Sequence, residues 1–529
     1  MTSHQLPERP NLEQLKKQAK SLLQAARAGE TDALGRFRVL PALASRTVAE
    51  LGGASLALHD AQSVVAREYG FKSWNELREH VQEGSLSFAA AVEEFVRCAT
   101  GRASARALRL LALHPTIAHA SVYTELVLGD AAAVEVRLEK DSGFAKRAGG
   151  VQNWEPLLYV CHTCLHHGAP ERTDGLVTIA RALLEQGANP NAEYHWNWHR
   201  ELPRTALWAA LCAVSHLPLA QVLLEAGANP TDGVSMHIAA GSGNLDALDL
   251  LHRFGVNANG IGGGVPPLRY ILSWAHNDGP RVAGIRWLLD HGADPNLSWG
   301  ELDDAPLHLA AQRWDVPMAE LLVQRGADVN RRRADGRTAH TLAELHGNQD
   351  IAAWLLTHGA RDELSTLERF VSACASGYRT RAEEMLRAQP NLRNELRAEH
   401  HLMMRVPAER GDATVLETML ACGFDPNVKD HDGVTVLHRA AMGGRAEGVR
   451  ALIAGGASVN ALDGMFAGTP LLWAAEGWSH NPDPRDGYLS VARQLLAAGS
   501  IREWLAPEKA PDPESTQEKL ADLCRAAGA

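Results

Sequence analysis

No stretch of about 18 consecutive apolar residues occurs in this sequence, which excludes the usual kind of membrane-spanning helix. The opening residues, MTSHQLPERP, also lack the apolar core of a secretory signal peptide. Basic residues are in deficit, because 52 Lys and Arg face 63 Asp and Glu and leave a net charge of −11. Phosphate binding requires clustered positive charge. The sequence therefore predicts neither a membrane nor a nucleic acid as a partner.

Cysteines are few, odd in number and irregularly spaced. The seven are Cys98, Cys161, Cys164, Cys212, Cys374, Cys422 and Cys524. A disulfide framework uses an even number of cysteines at recurrent spacings and belongs mostly to secreted proteins. We therefore expect reduced thiols and a cytoplasmic protein.

Catalytic signatures are missing as well. The sequence contains no G-x-S-x-G, P-loop, H-E-x-x-H or dinucleotide-binding pattern in a suitable context. The glycine-rich stretch G-I-G-G-G-V at 260–265 opens no helix of the phosphate-binding type and is interpreted as a long tip between helices. These absences predict a protein that is not an enzyme and needs no cofactor.

What the sequence does contain is a repeat. A leucine-rich segment that ends in Gly recurs, as in L-L-E-Q-G-A-N-P-N at 183–191 and L-L-D-H-G-A-D-P-N at 288–296. Its glycines mark the period, with intervals of 34 residues from Gly292 to Gly326 and 33 from there to Gly359. The full series is Gly187, Gly227, Gly255, Gly292, Gly326, Gly359, Gly423, Gly456 and Gly499. A second segment precedes most copies, for example A-P-L-H-L-A-A at 305–311.

Each copy predicts two short helices. Thr and Pro start the first helix, since proline at an early helical position forfeits no hydrogen bond. The leucine-rich second helix ends at a glycine in the left-handed conformation, and the Asx-Pro-Asn segment turns the chain into the next copy. The motif histidines His237, His308 and His438 are expected to link neighbouring copies by hydrogen bonds. A unit this small cannot bury its own apolar face, so the units must stack.

These two segments resemble the ankyrin repeat, and about ten units fit its pattern between residues 119 and 500. The resemblance implies an all-α ankyrin-repeat solenoid of helix-turn-helix units with short β-hairpin-like tips. It also implies a scaffold that binds another protein through the concave groove and the tips. We expect a monomer with a protein partner that the sequence does not identify.

A duplication predicts the domain boundaries. The segment 93–115 is similar to 368–390, and in both a Phe and a Pro are separated by 20 residues, Phe95 to Pro115 and Phe370 to Pro390. We interpret each segment as a helical cap that opens an array. The predicted domains are a first cap and array at 84–361, a second cap and array at 362–505, and a C-terminal capping helix or tail at 506–529.

Residues 1–83 carry no repeat and form a predicted N-terminal helical block. The pattern indicates one amphipathic helix ended by Gly29, then two helices joined at Gly70–Phe71, the second capped by Ser73. The block resembles a segment that precedes ankyrin arrays in many bacterial proteins. A helix-turn-helix DNA reader is the alternative, but Glu76 and Glu79 oppose the basic residues of the second helix, so no basic face forms.

The stretch C-H-T-C-L-H-H-G at 161–168 is rich in metal-ligand residue types. Its candidate ligands are Cys161, His162, Cys164 and His166. Aligned on the repeat, Cys161 occupies a core position, and a C-x-x-C spacing within a helix is weak evidence for zinc without a second pair. We favour a structural helix, and keep a small-ligand or metal site, possibly catalytic, in a pocket around 154–200 as the alternative.

Aromatic and arginine residues at variable positions and in the tips are the predicted partner-binding residues, because these residue types anchor interfaces. An aromatic insertion at 194–200 and a basic tip at 331–337 stand out. Several of the tryptophans could instead pack between units. The predicted set is Tyr194, Trp196, Trp198, His199, Trp274, Trp299, Arg313, Arg332, Arg333, Arg337 and Trp478.

Overall fold

The structure is a computed structural model, and the residues it describes are 6–7, 10–54, 56–101, 103–167, 169–194, 204–260, 264–273, 279–480, 485–502, 504 and 513–528. Contacts divide the chain into two units. Unit 1 comprises Met1–Tyr194 and Arg204–Asn229, and the main part of unit 2 is Pro230–Ala529. The described residues are predominantly helical, and they include no helix long and apolar enough to cross a membrane.

The N-terminal block opens unit 1 with five helices around a core of its own. They are α1 (Leu12–Arg27), α2 (Thr31–Arg36), α3 (Val48–Gly52), α4 (Leu58–Glu68) and α5 (Trp74–Gly84). Gly29 follows α1 with φ +86°, and the Ser73 side chain accepts a hydrogen bond from the backbone of Glu76, so the predicted ends of both helices are confirmed. The short α2 and α3 were not predicted. Phe37 and Leu77 are fully buried in the core of the block.

The rest of unit 1 consists of helix pairs. Its helices are α6 (Phe88–Thr100), α7 (Ser104–Leu113), α8 (Val122–Leu128), α9 (Ala131–Lys140), α10 (Pro156–His162), α11 (Pro170–Glu185), α12 (Ala206–Trp208) and α13 (Leu217–Glu225). A π-helical turn, Ala209–Ala213, continues α12. The strands β1 (Glu193–Tyr194) and β2 (Arg204–Thr205) pair antiparallel and form a hairpin-like tip.

Unit 2 continues the pattern of helix pairs. Its first helices are α14 (Ser235–Ser242), α15 (Leu245–Arg253), α16 (Pro267–Leu272), α17 (Gly279–Asp290), α18 (Pro306–Arg313), α19 (Val316–Gln324), α20 (Ala339–Leu345) and α21 (Gln349–Thr357). The later helices are α22 (Thr366–Ala375), α23 (Arg379–Ala388), α24 (Ala398–His401), α25 (Arg405–Arg410), α26 (Ala413–Ala421), α27 (Val436–Met442), α28 (Ala446–Ala454), α29 (Pro470–His480), α30 (Arg485–Ala497) and α31 (Pro513–Ala526). With α22/α23 and α24 set aside, the pairs from α8/α9 to α29/α30 number ten, which agrees with the predicted repeat count.

Histidine links neighbouring repeats, as predicted. In α18 the Nδ1 atom of His308 accepts a hydrogen bond from the backbone N–H of Ala305 at 3.0 Å, and Nε2 lies 2.9 Å from the carbonyl oxygen of Arg331 in the next tip. In α27 the Nε2 atom of His438 lies 3.0 Å from the carbonyl oxygen of Gly468 in the same way. The ring thus holds the start of its own helix and the following tip together.

The spacing of four residues between the helix-ending glycine and asparagine, which recurs in several repeats, also has a structural cause. The Asn296 amide donates to the carbonyl oxygen of Gly326 in the next repeat at 2.8 Å, while its Oδ1 accepts from the backbone N–H of Asp328 at 2.7 Å. Asn330 and Asn427 contact the glycines of their own next repeats in the same way. These bonds satisfy the carbonyl group of the glycine that follows each second helix and connect each tip to the next repeat.

Glycines inside the second helices allow adjacent repeats to approach closely. A Cβ atom added at Gly284 in α17 would overlap the carbonyl oxygen of Ala240 in α14, and one added at Gly175 in α11 would overlap that of Gly129. At Gly487 in α30 the corresponding distance, to the carbonyl oxygen of Gly444, would be 2.6 Å. A side chain at these positions would push the second helix away from the preceding repeat.

The two predicted caps share their local structure. In each, a helix pair is followed by a 3-10 turn that begins at proline, Pro115–His119 after α7 and Pro390–Glu395 after α23. Phe95 and Phe370 are both fully buried. A 3-10 turn, Ser142–Lys146, also follows α9. The similarity between segments 93–115 and 368–390 did not predict this third turn.

The predicted boundary at 361/362 stays a prediction, and the contacts around it are extensive. Helix α22 packs against α20, where Leu345 and Phe370 are buried in one hydrophobic core. The amide of Gln349 also donates to Ser376 Oγ at 2.9 Å. The hydrophobic core of unit 2 therefore continues from the first predicted array into the second.

The prediction that residues 161–164 form one helix is wrong. Helix α10 ends at His162, and Thr163 is extended, with ψ 128°. The Thr163 hydroxyl donates to the carbonyl oxygen of Val127 at 2.7 Å, and the backbone N–H of Cys164 donates to that of Ala99 at 2.9 Å. Bonds to neighbouring helices replace the next intrahelical bonds, so Cys161 and Cys164 do not share a helical face.

Candidate partner-binding surface

Four of the predicted partner-binding residues lie outside the described residues: Trp196, Trp198, His199 and Trp274. Their role in binding stays a prediction. Of the other seven, Tyr194 lies in β1 of unit 1, and six lie in unit 2: Trp299, Arg313, Arg332, Arg333, Arg337 and Trp478.

The arginines of the tip at 331–337 contact carboxylates of the same chain. Arg333 donates to Asp304 at 3.0 Å and to Asp335 at 3.1 Å, and its side chain is only 8% exposed. Burial opposes the charge of Arg333, but these two carboxylates outweigh it and raise its pKa. Arg337 donates to Glu399 at 3.0 Å, and Arg332 pairs with Glu363. These guanidinium groups connect the tip at 331–337 to neighbouring segments of unit 2.

Both described tryptophans of the predicted set are half-buried. Trp299 forms a backbone bridge with Asp304 at its tip. Trp478, in α29, packs against the hydrophobic core of unit 2. Both tryptophan side chains thus bury part of their apolar surface within the protein itself. Their role in binding a partner stays a prediction.

Arg313 lies in a different environment, at the end of α18. Its side chain is 16% exposed, and the nearest carboxylate oxygen, of Glu409 in α25, is 3.9 Å from its Nη1 atom. Glu409 is already bound by Arg405, whose Nε donates at 2.8 Å. Arg313 therefore shares a carboxylate that a second arginine holds at a shorter distance.

Positive charge converges around Arg313. Burial lowers its pKa, and Arg405, Arg439 and Arg410 lower it further, whereas Glu409 raises it. We name Arg313, Arg405, Arg410 and Arg439 the Arg313 cluster. Its carboxylate partners are Glu409 and Asp430, the latter 3.1 Å from Arg439 Nη2. Four guanidinium groups thus face two carboxylates, in a chain whose net charge is −11.

His346, directly after α20, shows the same excess of charge. Its Nδ1 atom is buried and has no hydrogen-bond partner among the described residues. Burial lowers the pKa of His346 to about 3, and Arg313, Arg333, Arg337 and Arg410 contribute in the same direction. Guanidinium groups, among them those of Arg313 and Arg410 in the Arg313 cluster, thus disfavour the protonated form of His346. We call the face formed by α18, α20, α25, α27 and α29 the groove face of unit 2.

An apolar pocket of about 150 Å³ opens on the same face, between α27, α29 and the C-terminal residues of unit 2. It is lined by Met442, Phe466, Leu472, Trp473, Glu476, Trp504 and Thr516. The indole N–H of Trp473 donates to Asp463 at 2.9 Å, and that of Trp504 to the carbonyl oxygen of Phe466 at 3.0 Å. Both indole N–H groups are satisfied within the chain. The Arg439 guanidinium lies 5.5 Å from the centroid of the Trp473 ring and connects the Arg313 cluster with the pocket.

Aromatic side chains also gather in unit 1. The Trp154 ring lies 4.5 Å from Tyr194 and 4.8 Å from His162, measured between centroids. The Arg204 guanidinium lies 4.3 Å above the Trp208 ring, at cation–π distance. Of the predicted aromatic tip, Tyr194 therefore contacts the repeats of its own unit.

The four candidate metal ligands do not converge. Cys161 is fully buried, and burial raises the pKa of its thiol well above the usual range. The Cys164 thiol donates to the carbonyl oxygen of Ala99 at 3.0 Å. His162 Nδ1 lies 2.9 Å from the carbonyl oxygen of Leu158, and His166 Nδ1 lies 3.1 Å from that of Thr163. Among the described residues, the group of three ligand atoms that lie within 4.8 Å of one another belongs to Asp430, His431 and Asp432 instead, and of these only His431 is exposed.

The stacked helix pairs, histidine links and glycine-ended helices agree with a comparison against family models. The model described as Ankyrin repeats (3 copies) matches residues 272–365 and 402–501. The chain carries ankyrin repeats. Both matched segments lie in unit 2, and together they contain every member of the Arg313 cluster and most of the pocket. The ankyrin repeat is a framework that generally mediates protein–protein interaction.

Related proteins cover only parts of the chain. The putative ankyrin repeat protein YahD of Escherichia coli is 28% identical over 201 residues, which are 36% of this chain and 94% of that protein. The palmitoyltransferase Hip14 of Drosophila melanogaster is 35% identical over 82 residues, 16% of this chain. The chain thus spans 12% of the length of that enzyme, within its ankyrin region. The human ASB11 ankyrin repeat domain, a solved structure, is 24% identical with a TM-score of 0.35 and covers 46% of this chain and 99% of its own.

Of the Arg313 cluster, the sequence pattern predicts only Arg313 as a partner-binding residue, because it occupies a variable position at the end of a first helix. That role stays a prediction. Arg405, Arg410 and Arg439 were missed, although R-V-P-A-E-R at 405–410 places two arginines at the ends of one short helix. Nothing in the local pattern indicates that α25 meets α18, because 96 residues separate Arg313 from Glu409 in the sequence.

Proposed function

We propose that the chain is a scaffold without catalytic activity of its own, and that it binds a protein partner on the groove face of unit 2. The observation that carries this proposal is Arg313, a largely buried cation that shares its carboxylate with Arg405. Burying a charge with incomplete pairing costs free energy. Sites that retain such a cost are frequently functional.

Three features support a protein as the ligand. The Arg313 cluster and the apolar pocket lie side by side and so combine charge with apolar surface, as the anchors of protein interfaces do. Arginine is enriched in such anchors because its planar group binds carboxylates with two parallel hydrogen bonds. The third feature is the fold, because ankyrin repeats generally mediate protein–protein interaction.

The type of organism and the cellular compartment of the protein are part of the same proposal. We infer a bacterial protein from the likeness to the Escherichia coli relative and the N-terminal block. We infer a monomer in the cytoplasm, because an odd number of irregularly spaced cysteines suits a reducing compartment.

Replacing Arg313 by methionine separates binding from folding. In Arg313→Met the buried charge disappears, while Glu409 keeps its 2.8 Å bond to Arg405, so no carboxylate is left without a partner. Exchanging a buried ion for an apolar side chain of similar size is often neutral or stabilising by about 1 kcal/mol or more. We expect unchanged or higher stability in urea, but partner affinity lower by about 2 kcal/mol, roughly thirtyfold.

The matched control is Arg387→Met, since Arg387 lies exposed on α23 and outside the Arg313 cluster. It should keep both stability and affinity. The proposal fails if Arg313→Met captures the partner from host extract as well as the wild-type chain does. It also fails if the two variants lose affinity to the same extent.

A further inference from the structure

We propose that the groove face of unit 2 recognises an acidic peptide segment that carries a bulky apolar side chain close to its carboxylates. This inference rests on the proposed function and specifies the chemistry of the partner. The Arg313 cluster takes the carboxylates, and the pocket beside Trp473 takes the apolar side chain.

Charge complementarity determines the first half of the ligand. The cluster has four guanidinium groups for the carboxylates of Glu409 and Asp430. Arg410 is exposed, and no hydrogen bond or ion pair of its guanidinium is found within the described residues. Donors without acceptors on a positively charged face are complementary to carboxylates, which accept without donating.

The pocket determines the second half. Its volume of about 150 Å³ is close to that of protein cavities that hold a benzene-sized group. Met442 at its edge is 37% exposed, whereas Leu472 is 6% exposed and forms part of the interior. The Glu476 carboxylate at the rim is bound by Lys519 at 3.0 Å, so the charge at this edge is already compensated. An aromatic or large aliphatic side chain fits these walls.

The distance between Arg439 and the pocket sets the spacing between the acidic and the apolar residue of the peptide. Arg439 and Met442 lie three residues apart on α27, hence on one face and about 4.5 Å apart along the helix axis. In an extended peptide, residues two apart point the same way and lie roughly 6.6 Å apart. An acidic residue and an apolar residue separated by one intervening residue therefore span a distance comparable to the 5.5 Å between the Arg439 guanidinium and the Trp473 ring that lines the pocket.

The experiment is selection of random displayed peptides on the full-length chain, followed by affinity measurements with the selected peptides. We expect the selected sequences to be enriched in Asp and Glu with an aromatic or large aliphatic residue nearby. Arg410→Glu should weaken their binding at least about tenfold, because it reverses a charge that faces the acidic residues. Met442→Glu should weaken it to a similar degree by placing a charge at the pocket edge. Both positions are exposed, so folding should be retained.

Arg387→Glu, on the exposed side of α23, serves as the control with the same change of charge and should bind as the wild type does. Rising salt should weaken wild-type binding, because exposed charge pairs are screened. Selection of neutral or basic peptides, selection of none, or equal binding by Arg410→Glu and Arg387→Glu would overturn the inference. If the peptides fail in this way while Arg313→Met still loses the natural partner, the proposed function stands and only the acidic-apolar chemistry is wrong.

Discussion

Gly284→Ala is expected to destabilise unit 2 by about 2–3 kcal/mol, although alanine is the better helix former. Gly284 lies inside α17, where glycine costs about 1 kcal/mol relative to alanine in an exposed helix. The added methyl group would overlap the carbonyl oxygen of Ala240, and that atom belongs to backbone held by α14. Because no side-chain rotation can relieve this overlap, α17 must move away from the preceding repeat.

Gly241→Ala provides the opposite control. Gly241 is also helical, in α14, but no atom lies within 4 Å of an added Cβ there. This variant should be stabilised by up to about 1 kcal/mol, because alanine has less conformational freedom to lose. Urea unfolding followed by circular dichroism measures both variants. Equal shifts of the unfolding midpoint in the same direction would show that Gly284 has no special packing role.

Acidification is the second change with a large expected effect. Burial lowers the pKa of His308 and His438, which link neighbouring repeats, below the ordinary value of 6.5. Above pH 6.5 these rings are neutral in both the folded and the unfolded chain, and their linking hydrogen bonds are intact. Below that pH the histidine rings bind protons in the unfolded chain but not in the folded chain. The free energy of unfolding therefore falls as the pH falls. Each such histidine corresponds to at most about 1.4 kcal/mol for each pH unit between 6.5 and its lowered pKa.

The slope of unfolding free energy against pH, measured in urea from neutral pH down to about pH 5, tests this expectation. His438→Gln should lower stability at neutral pH, since the bond to Gly468 is weakened, and should reduce the slope by about one proton. His431→Gln, at a side chain that is 86% exposed and links no repeats, serves as the control for the substitution itself. A flat profile through this range would show that the buried rings do not resist protonation.

Much of the repeat could be predicted from the sequence because its causes are local. Gly187 and its equivalents end helices in the left-handed conformation, with φ +81° at Gly187, as the pattern of leucines followed by glycine predicts. The bonds of His308 and His438 to the next tip were also predicted, because their place in the motif fixes which carbonyl group lies opposite. In both cases, residues within one period determine the result.

The rest depends on contacts between distant residues. Helix α10 ends at His162 since Thr163 and Cys164 bond to helices 36 and 65 residues earlier in the chain, which no helical pattern reveals. The sequence predicts a basic tip at 331–337, but in the folded unit the carboxylate of Asp304 pairs with Arg333. The approach of Glu409 to Arg313 likewise depends on how successive repeats are arranged, and small differences per repeat add up along the stack.

Site-specific photo-cross-linking in host cells tests the proposed binding face most directly. A photoreactive side chain is placed at position 442, on the groove face of unit 2, and separately at position 387, on the exposed side of α23. We expect a discrete protein to be cross-linked from position 442 and not from position 387, and this product to disappear when Arg313→Met is introduced into the same chain. No product at position 442, or the same product from both positions, would contradict a partner on the groove face.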